Sequence, residues 1–397
     1  MDTAAVIAAL CQQLIETPSW GYANSGTRFG TFAQPAAART LDEKLEDAAE
    51  VHRLTGVCPT VALHIPWDRC DDWGALKKKA AGLGIRIGAI NPNVFQDPCY
   101  ARGSLGNPDV AVRAKAVAHM RDCIAIATAT GSECISLWFA DGTNYPGQDD
   151  FRARKRRFED GLREVYAALA PNQRLLVEYK CFEPAFYHTD LADWGTSLLM
   201  CQKIGPQAQV LVDTGHHLPG ANIEHIVALL LDEGRLGGFH FNGRKYADDD
   251  LTLGSINPYE LFLIFCETVK GALATDARVK TCSEKIAYMF DHSLVDKPKI
   301  AATIQSVMIA QEAYAKALLV DQKALAAAQV RGDIVGAEEV LKDAFATDVR
   351  PLLAQVRTKL GVPENPLQAW RASGGEAKRA SEREARHGKA KAGGGFQ

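Results

Sequence analysis

Four side chains able to hold a divalent cation fall at equivalent places in four apolar, β-rich runs. Glu178 lies near the end of LLVEY, Asp213 ends VLVD, His240 ends GGFH and Asp291 follows IAYMF. One acid after a strand usually caps a helix or faces solvent. Four ligand types at the same strand end, a histidine among them, point instead to one shared site. Two local features extend the set. Asp213 is followed by Thr214-Gly215-His216-His217, so a carboxylate and the His216 imidazole can face one ion from a tight turn. After His240 comes Asp248-Asp249-Asp250, and in an extended segment Asp248 and Asp250 share a side. Consecutive acids repel unless a cation or solvent screens them. The donors are carboxylates and imidazoles without a thiolate, a set suited to Mn2+, Mg2+ or Co2+ rather than to a structural zinc-thiolate site. Seven candidates exceed the needs of one ion. A pair of ions bridged by Asp213 is the economical arrangement.

The elements needed to bring these residues together are also legible. Thr40 with Glu43 forms a capping box before a helical period through Leu54, and Gly56 ends it. Strand-like runs follow at 61–64, 85–90, 134–139, 175–179, 210–214, 238–241 and 286–290, separated by helical patterns. Helices are expected near 71–81, from the Asn107-Pro108 pair to 130, over 150–170, and from Pro258 to 270. An extended stretch near Ser19–Tyr22 makes eight strands. Strands separated by helices of ten or more residues pair in parallel through right-handed crossovers. Eight such units predict an α/β chain of the (β/α)8 TIM barrel class, with an open doubly wound sheet as the alternative. In a barrel every C-terminal strand end opens on the face where active sites are built. The expected organisation is a catalytic barrel over 1–298, a helical extension over 299–370 and a mobile basic Gly/Ala-rich tail over 371–397.

The motifs VEYK (Val177–Lys180), VDTGHH (Val212–His217) and FHFNGRKYADDDLTLGSINP (Phe239–Pro258) are specific. With LHIPWD (Leu63–Asp68), SWGYANSGTRFGTF (Ser19–Phe32) and the shorter YMFDHS (Tyr288–Ser293), they resemble the L-rhamnose isomerase family. That family is of the bacterial type with broad aldose–ketose specificity, within the xylose-isomerase-like barrels. The resemblance covers roughly residues 15–300. It implies that Glu178, Asp213, His240 and Asp291 hold one ion, and that His216, Asp248 and Asp250 hold the catalytic one. It places Lys180 near the substrate carbonyl and Trp20, Phe29, His64, Trp138 and Ser293 around the sugar. Phe95 resembles an aromatic residue that a neighbouring subunit can contribute, in a homotetramer. The cofactor expectation is two divalent ions, Mn2+ first with Co2+, Mg2+ or Zn2+ as alternatives, and no organic cofactor. The basic tail has no counterpart in the family pattern.

The resemblance implies aldose–ketose isomerisation, L-rhamnose to L-rhamnulose. Two cations held there would polarise O1 and O2, and Asp248 or Asp250 would hold the base that takes the C2 hydroxyl proton. A 1,2-hydride shift follows behind a wall of Trp20, Phe29 and Trp138. His64, near the ring oxygen, serves as general acid/base in ring opening. The alternative is a related barrel sugar isomerase or a ketose 3-epimerase, which needs one ion and two glutamates as acid and base.

Composition adds exclusions. The 397 residues carry a net charge of -3, with 47% hydrophobic and 23% charged residues. That balance gives no general reason to bind nucleic acid or an anionic membrane. No apolar run reaches the roughly 18 residues of a membrane span, and the N-terminus does not read as a signal peptide, so a cytoplasmic protein is expected. Ten scattered cysteines without a CxxC pair read as reduced thiols. Arg152, Arg154, Lys155, Arg156 and Arg157 read as a solvated helix face or subunit contact. Asp213-Thr214-Gly215 matches the aspartic-protease tripeptide, but the chain lacks a second copy and a β-rich pattern. The glycines from Gly82 to Gly88 follow a helix and precede a strand, the wrong order for a phosphate cradle. The metal reading predicts that EDTA abolishes turnover and that Mn2+ or Co2+ restores it. Full activity in chelator refutes it.

Overall fold

The computed structural model of the chain describes residues 3–391, apart from 28–29, 184–186 and 247. Eight parallel strands close into a barrel: β1 (Glu16–Pro18), β2 (Thr60–Ile65), β3 (Arg86–Pro92), β4 (Cys134–Leu137), β5 (Arg174–Glu178), β6 (Ala208–Asp213), β7 (Leu236–Phe241) and β8 (Ala287–Phe290). Their order around the barrel follows the chain, with β1 closing on both β8 and β2. The closed barrel therefore replaces the open-sheet alternative.

The strands alternate with period two. Ala62, Ala89, Leu176, Leu211 and Met289 form a small inner cluster. Their neighbours Val61, Leu63, Leu175, Val177, Val210, Val212, Phe239 and Phe241 join the continuous layer between strands and helices. Two residues beyond Leu176, Leu211, Gly238 and Met289 stand Glu178, Asp213, His240 and Asp291. The pleat thus carries the apolar inner face upward into the ligand set.

Helix boundaries follow local chemistry. Thr40 accepts from the Glu43 backbone N at 3.2 Å, and Glu43 Oε2 reaches back to Arg39 N at 2.8 Å. Gly56 takes a left-handed φ of 73° at the C-cap. The helix expected to start at Asn107-Pro108 runs instead from Val110 to Thr130. Asp109 caps it, because Asn107 Oδ1 is used by Asp109 N. The first strand also lies earlier than expected. Glu16–Pro18 pairs in the barrel, whereas Ser19–Tyr22 curls into a 3-10 turn.

Beyond β8, helices span Lys299–Leu318, Gln322–Arg331, Ile334–Ala346, Arg350–Leu360, Pro366–Ala372 and Gly375–His387. Among the described residues no helix is long and apolar enough to cross a membrane. The expectation of a mobile tail does not hold for Gly375–His387. That helix buries little apolar surface, but it lays its cations on the acids of helix Leu41–Thr55. Arg383, 2% exposed, donates to Asp47 Oδ1 at 2.7 Å and to the Ala36 carbonyl. Arg379 reaches the same Asp47 oxygen at 3.1 Å. Burial pushes the Asp47 carboxyl up to about 6 against the pull of these two cations. Removing one partner of a buried pair leaves the other charge uncompensated. Arg383→Ala should therefore cost about 3 kcal/mol and expose the segment after Ser373 to proteases. An unchanged denaturation midpoint and cleavage rate would contradict this docking.

Candidate active site

Strand register brings the ligand set together. Asp213 on β6 stands directly beside His240 on β7. Glu178, Asp213, His240 and Asp291 each offer an atom, all within 4.8 Å of one another, and Asp213, His216 and Asp248 form a second such group. Asp213 belongs to both, as a bridge requires. His240 Nδ1 lies 3.2 Å from Glu178 Oε2 and 3.7 Å from Asp291 Oδ2. His216 Nε2 lies 3.0 Å from Asp248 Oδ1 and 4.0 Å from Asp213 Oδ2. Asp250 falls outside both groups. Its Oδ2 accepts from Ser293 Oγ at 2.7 Å.

The donors fit a divalent ion. Glu178 Oε1 and His240 Nδ1 are buried and make no hydrogen bond. Their contacts have ion-pair distances without hydrogen-bond alignment, so both atoms remain free to coordinate. His216 Nδ1 lies 3.1 Å from the Tyr179 carbonyl. A proton donated there leaves the Nε2 lone pair facing Asp213 and Asp248. Without an ion the cluster neutralises itself with protons. Burial opposes charge on His240, but Glu178 and Asp291 lift its pKa to about 9. Burial, with Glu178, Asp291 and Asp248 nearby, pushes Asp213 up to about 7 against the pull of His216. A cation at this point displaces those protons.

A supporting layer orients the ligands. Asn242 Nδ2 donates to Asp213 at 2.9 and 3.2 Å, and Gly215 N donates to its Oδ1 at 2.6 Å. A Cβ at Gly215 would come within 2.7 Å of Asn242 Oδ1, so a larger residue there would displace the amide that holds Asp213. Trp20 Nε1 donates to Asp291 Oδ1 at 2.8 Å. Lys180 Nζ bonds Asp248 Oδ2 at 2.5 Å and Glu183 Oε2 at 2.8 Å. Burial disfavours its charge, but the two carboxylates outweigh that and hold its pKa above the ordinary lysine value. Asp248 and Asp250 adopt left-handed φ of 49° and 48°, a strained backbone that this loop must impose.

The opposite half of the mouth is aromatic. His64 stacks on Trp67 at 3.9 Å and meets Trp20 and Phe95 edge-on at 5.5 and 5.8 Å. Phe95 packs on Trp138 at 4.8 Å, and Lys180 Nζ lies 5.0 Å over the Trp138 ring. Phe95 therefore joins the wall of its own chain. His64 Nδ1 and Trp138 Nε1 have no hydrogen-bond partner. Burial, with the fields of Lys44, His119 and His240, pulls the His64 pKa down to about 3, so the imidazole is neutral. Phe29 lies outside the described residues. Sequence reasoning missed Trp67, Asn242 and Asp68. Asp68 accepts from His64 N at 2.8 Å, from Lys44 Nζ at 2.7 Å and from Ser19 Oγ, locking the β2 end to the Trp20 turn. Asn242 and Asp68 sit inside segments already notable as motifs, which was the available signal.

The basic run needs one correction. Arg152 and Arg156 are exposed as expected, but Arg154 is 2% exposed. It bonds Asp190 at 2.7 Å, the Arg102 carbonyl at 3.1 Å and Asp149 at 3.3 Å, joining the loops after β3, β4 and β5.

Residues 47–262 match the family described as xylose isomerase-like TIM barrel. The chain is 45% identical over 391 residues to a probable sugar isomerase of Rhizobium meliloti (strain 1021), covering 97% of this chain and 90% of that one. It is 43% identical over 376 residues to a probable sugar isomerase of Mesorhizobium japonicum, covering 94% and 86%. Among solved structures, a xylose isomerase domain protein from Alicyclobacillus acidocaldarius superposes with a TM-score of 0.53 at 14% identity, covering 77% of this chain and 99% of that one. An L-ribulose 3-epimerase superposes with a TM-score of 0.50 at 17% identity, covering 83% and 96%. These two show the fold alone.

Removing an outer hydrogen bond to a metal ligand typically weakens metal binding 10–100-fold. Trp20→Phe keeps the ring and deletes the donor to Asp291. It should raise the dissociation constant of the ion at the Glu178 group by about tenfold, measured by Mn2+ titration, without lowering the denaturation midpoint. Unchanged affinity would remove Trp20 from the supporting layer.

Proposed function

The chain belongs to the xylose isomerase-like TIM barrel family, and on that premise we propose an aldose–ketose isomerase acting on L-rhamnose to give L-rhamnulose, with related aldoses as slower substrates. The observation that carries the reading is the pair of ligand groups sharing Asp213, set opposite an aromatic wall. The family resemblance extends the proposal to a homotetramer with contacts from the C-terminal helices. The names of the two rhizobial relatives agree with a sugar isomerase without naming the sugar.

Two divalent ions, Mn2+ foremost, held by Glu178, Asp213, His240 and Asp291 and by Asp213, His216, Asp248 and Asp250, would polarise the C1 and C2 oxygens of the open-chain sugar. This chain's own groups do the rest. Neutral His64 passes a proton at the ring oxygen through its unpartnered Nδ1, opening the ring. Trp138 Nε1, also unpartnered, donates to a sugar hydroxyl. Lys180 stays charged against Asp248 and supports negative charge growing at O1. Asp250, tethered by Ser293, takes the proton of the C2 hydroxyl and delivers it to O1, so that C2 becomes the carbonyl and C1 carries the hydroxyl. Trp20, Trp67, Phe95 and Trp138 exclude water, so the C2 hydrogen migrates to C1 without exchanging.

A proton-abstraction route needs a base poised over the C2 carbon, whereas this reading gives Asp250 only the hydroxyl proton. Isomerisation of a panel of aldoses in D2O by the Mn2+-loaded protein, followed by NMR, tests the reading. The expected outcome is ketose product with little deuterium at C1. Substantial deuterium at C1 supports an enediol route, and deuterium at C3 with inversion there identifies a 3-epimerase. Asp250→Asn should lower kcat by about 100-fold or more, the scale of a lost general acid–base group. Wild-type turnover in that variant would clear Asp250 of the role.

A further inference from the structure

Lys299 opens the helix Lys299–Leu318 and is 2% exposed. An ammonium is costly to bury without a carboxylate, and the positive end of a helix dipole makes the place worse. Its hydrogen bonds go to neutral oxygens: Ser25 Oγ at 2.9 Å, the Ser293 carbonyl at 3.0 Å and the Leu294 carbonyl at 2.9 Å. All three N–H donors are used. Burial draws its pKa down to about 8, with only the field of Asp296 opposing. A cation kept in such surroundings must organise something.

The segments it joins both border the candidate site. Ser25 begins the hairpin that follows the Trp20 turn. Ser293 and Leu294 follow Asp291, and Leu294 holds a left-handed φ of 46°. Both carbonyls of this bend accept from the Lys299 ammonium. The Ser293 hydroxyl then donates to Asp250 Oδ2, and Asp250 is itself at a left-handed φ. Thr252 in the same acidic loop is held by Lys297 Nζ at 2.6 Å, so two lysines of one short segment fix the loop from one side.

We infer that Lys299 is a positioning residue: its ammonium fixes the Ser293–Leu294 bend so that the Ser293 hydroxyl aims Asp250 at the reacting end of the site. It touches neither substrate nor ion and acts through Ser293. This rests on the isomerase reading for its kinetic consequence. The metal-binding consequence is independent of the sugar.

The test is a double-mutant cycle of Lys299→Met and Ser293→Ala in the full chain, read by aldose kinetics and by Mn2+ titration without sugar. Each single variant should lower kcat about tenfold or more and weaken the looser of two Mn2+ sites to a similar degree, as lost supporting bonds do. KM and the tighter site should stay near wild type. The double variant should be no worse than the worse single, because both changes break one chain of contacts. Losses that multiply, or a Lys299→Met protein matching wild type in both readouts, would overturn the inference. If Lys299→Met does not fold, Lys299→Gln takes its place under the same outcomes. Failure of both to fold assigns Lys299 to the scaffold and also overturns it. A wild-type protein that binds two Mn2+ but turns over no aldose would sink the isomerase reading while leaving the metal arm of this test decisive.

Discussion

Negative charge crowded at one end of a closed barrel is the constraint on which the rest of the site depends. Glu178, Asp213 and Asp291 meet within a few ångströms, and Asp248 joins Asp213 in a second group; Glu178 and Asp213 are buried, Asp248 and Asp291 half-buried. Like charges at that spacing cannot all ionise unless positive charge is interleaved. The chain supplies His216, His240 and Lys180, each carried into the cluster by its own strand or turn. The pKa directions record the balance: His240 is lifted to about 9, while burial and its acidic neighbours raise Asp213 to about 7. A site so arranged is a poor structural ion pair and a good cation receptor. Its oxygens are held apart by Asn242, Trp20 and Gly215 rather than allowed to relax.

The barrel pleat divides the labour around its mouth. Strands β5 to β8 carry Glu178, Asp213, His240 and Asp291 at or beside their ends. Strand β2 carries His64 one residue before its end, β4 ends just before Trp138, and β1 leads directly into the Trp20 turn. The polar half can bind and polarise oxygens; the aromatic half can shed water and receive carbon. Trp20 joins the two, packing against His64 while donating to Asp291. Chemistry on a sugar needs both halves at once, because charge stabilisation gains strength where water is excluded.

The convergence of Glu178, Asp213, His240 and Asp291 was legible in the sequence because period two and parallel strand direction are local patterns with one global consequence. Eight β/α units leave few topologies, so the barrel followed from the same pattern. What stayed hidden depends on partners far along the chain. Asn242 and Asp68 look like ordinary polar residues until Asp213 and His64 are placed beside them. The helix Gly375–His387 lacks the apolar stripe by which docked helices are recognised, since it is held by Arg379 and Arg383 on Asp47. Arg154 hid among solvated cations of the same helix. Ser19–Tyr22 looked extended, but β1 needs only Glu16–Pro18 to close the barrel, and the next residues turn to deliver Trp20.

Buried cations recur at the places where loops must be fixed. Arg154 gathers the loops after β3, β4 and β5; Lys44 meets Asp68 under the β2 end; Arg383 ties the C-terminal helix to Asp47; Lys299 closes the bend after β8. Hydrophobic contact could hold these segments with less desolvation, but it is non-directional and would leave the loops free to slide. A guanidinium or ammonium with every donor satisfied fixes several backbone oxygens in one geometry. The strands set the height of each ligand, which a pleat does well. Direction beyond the strand end is not set by the pleat, and there the chain uses charge. The barrel therefore separates stability, resting on the apolar layer between strands and helices, from alignment, resting on a few costly cations around its mouth.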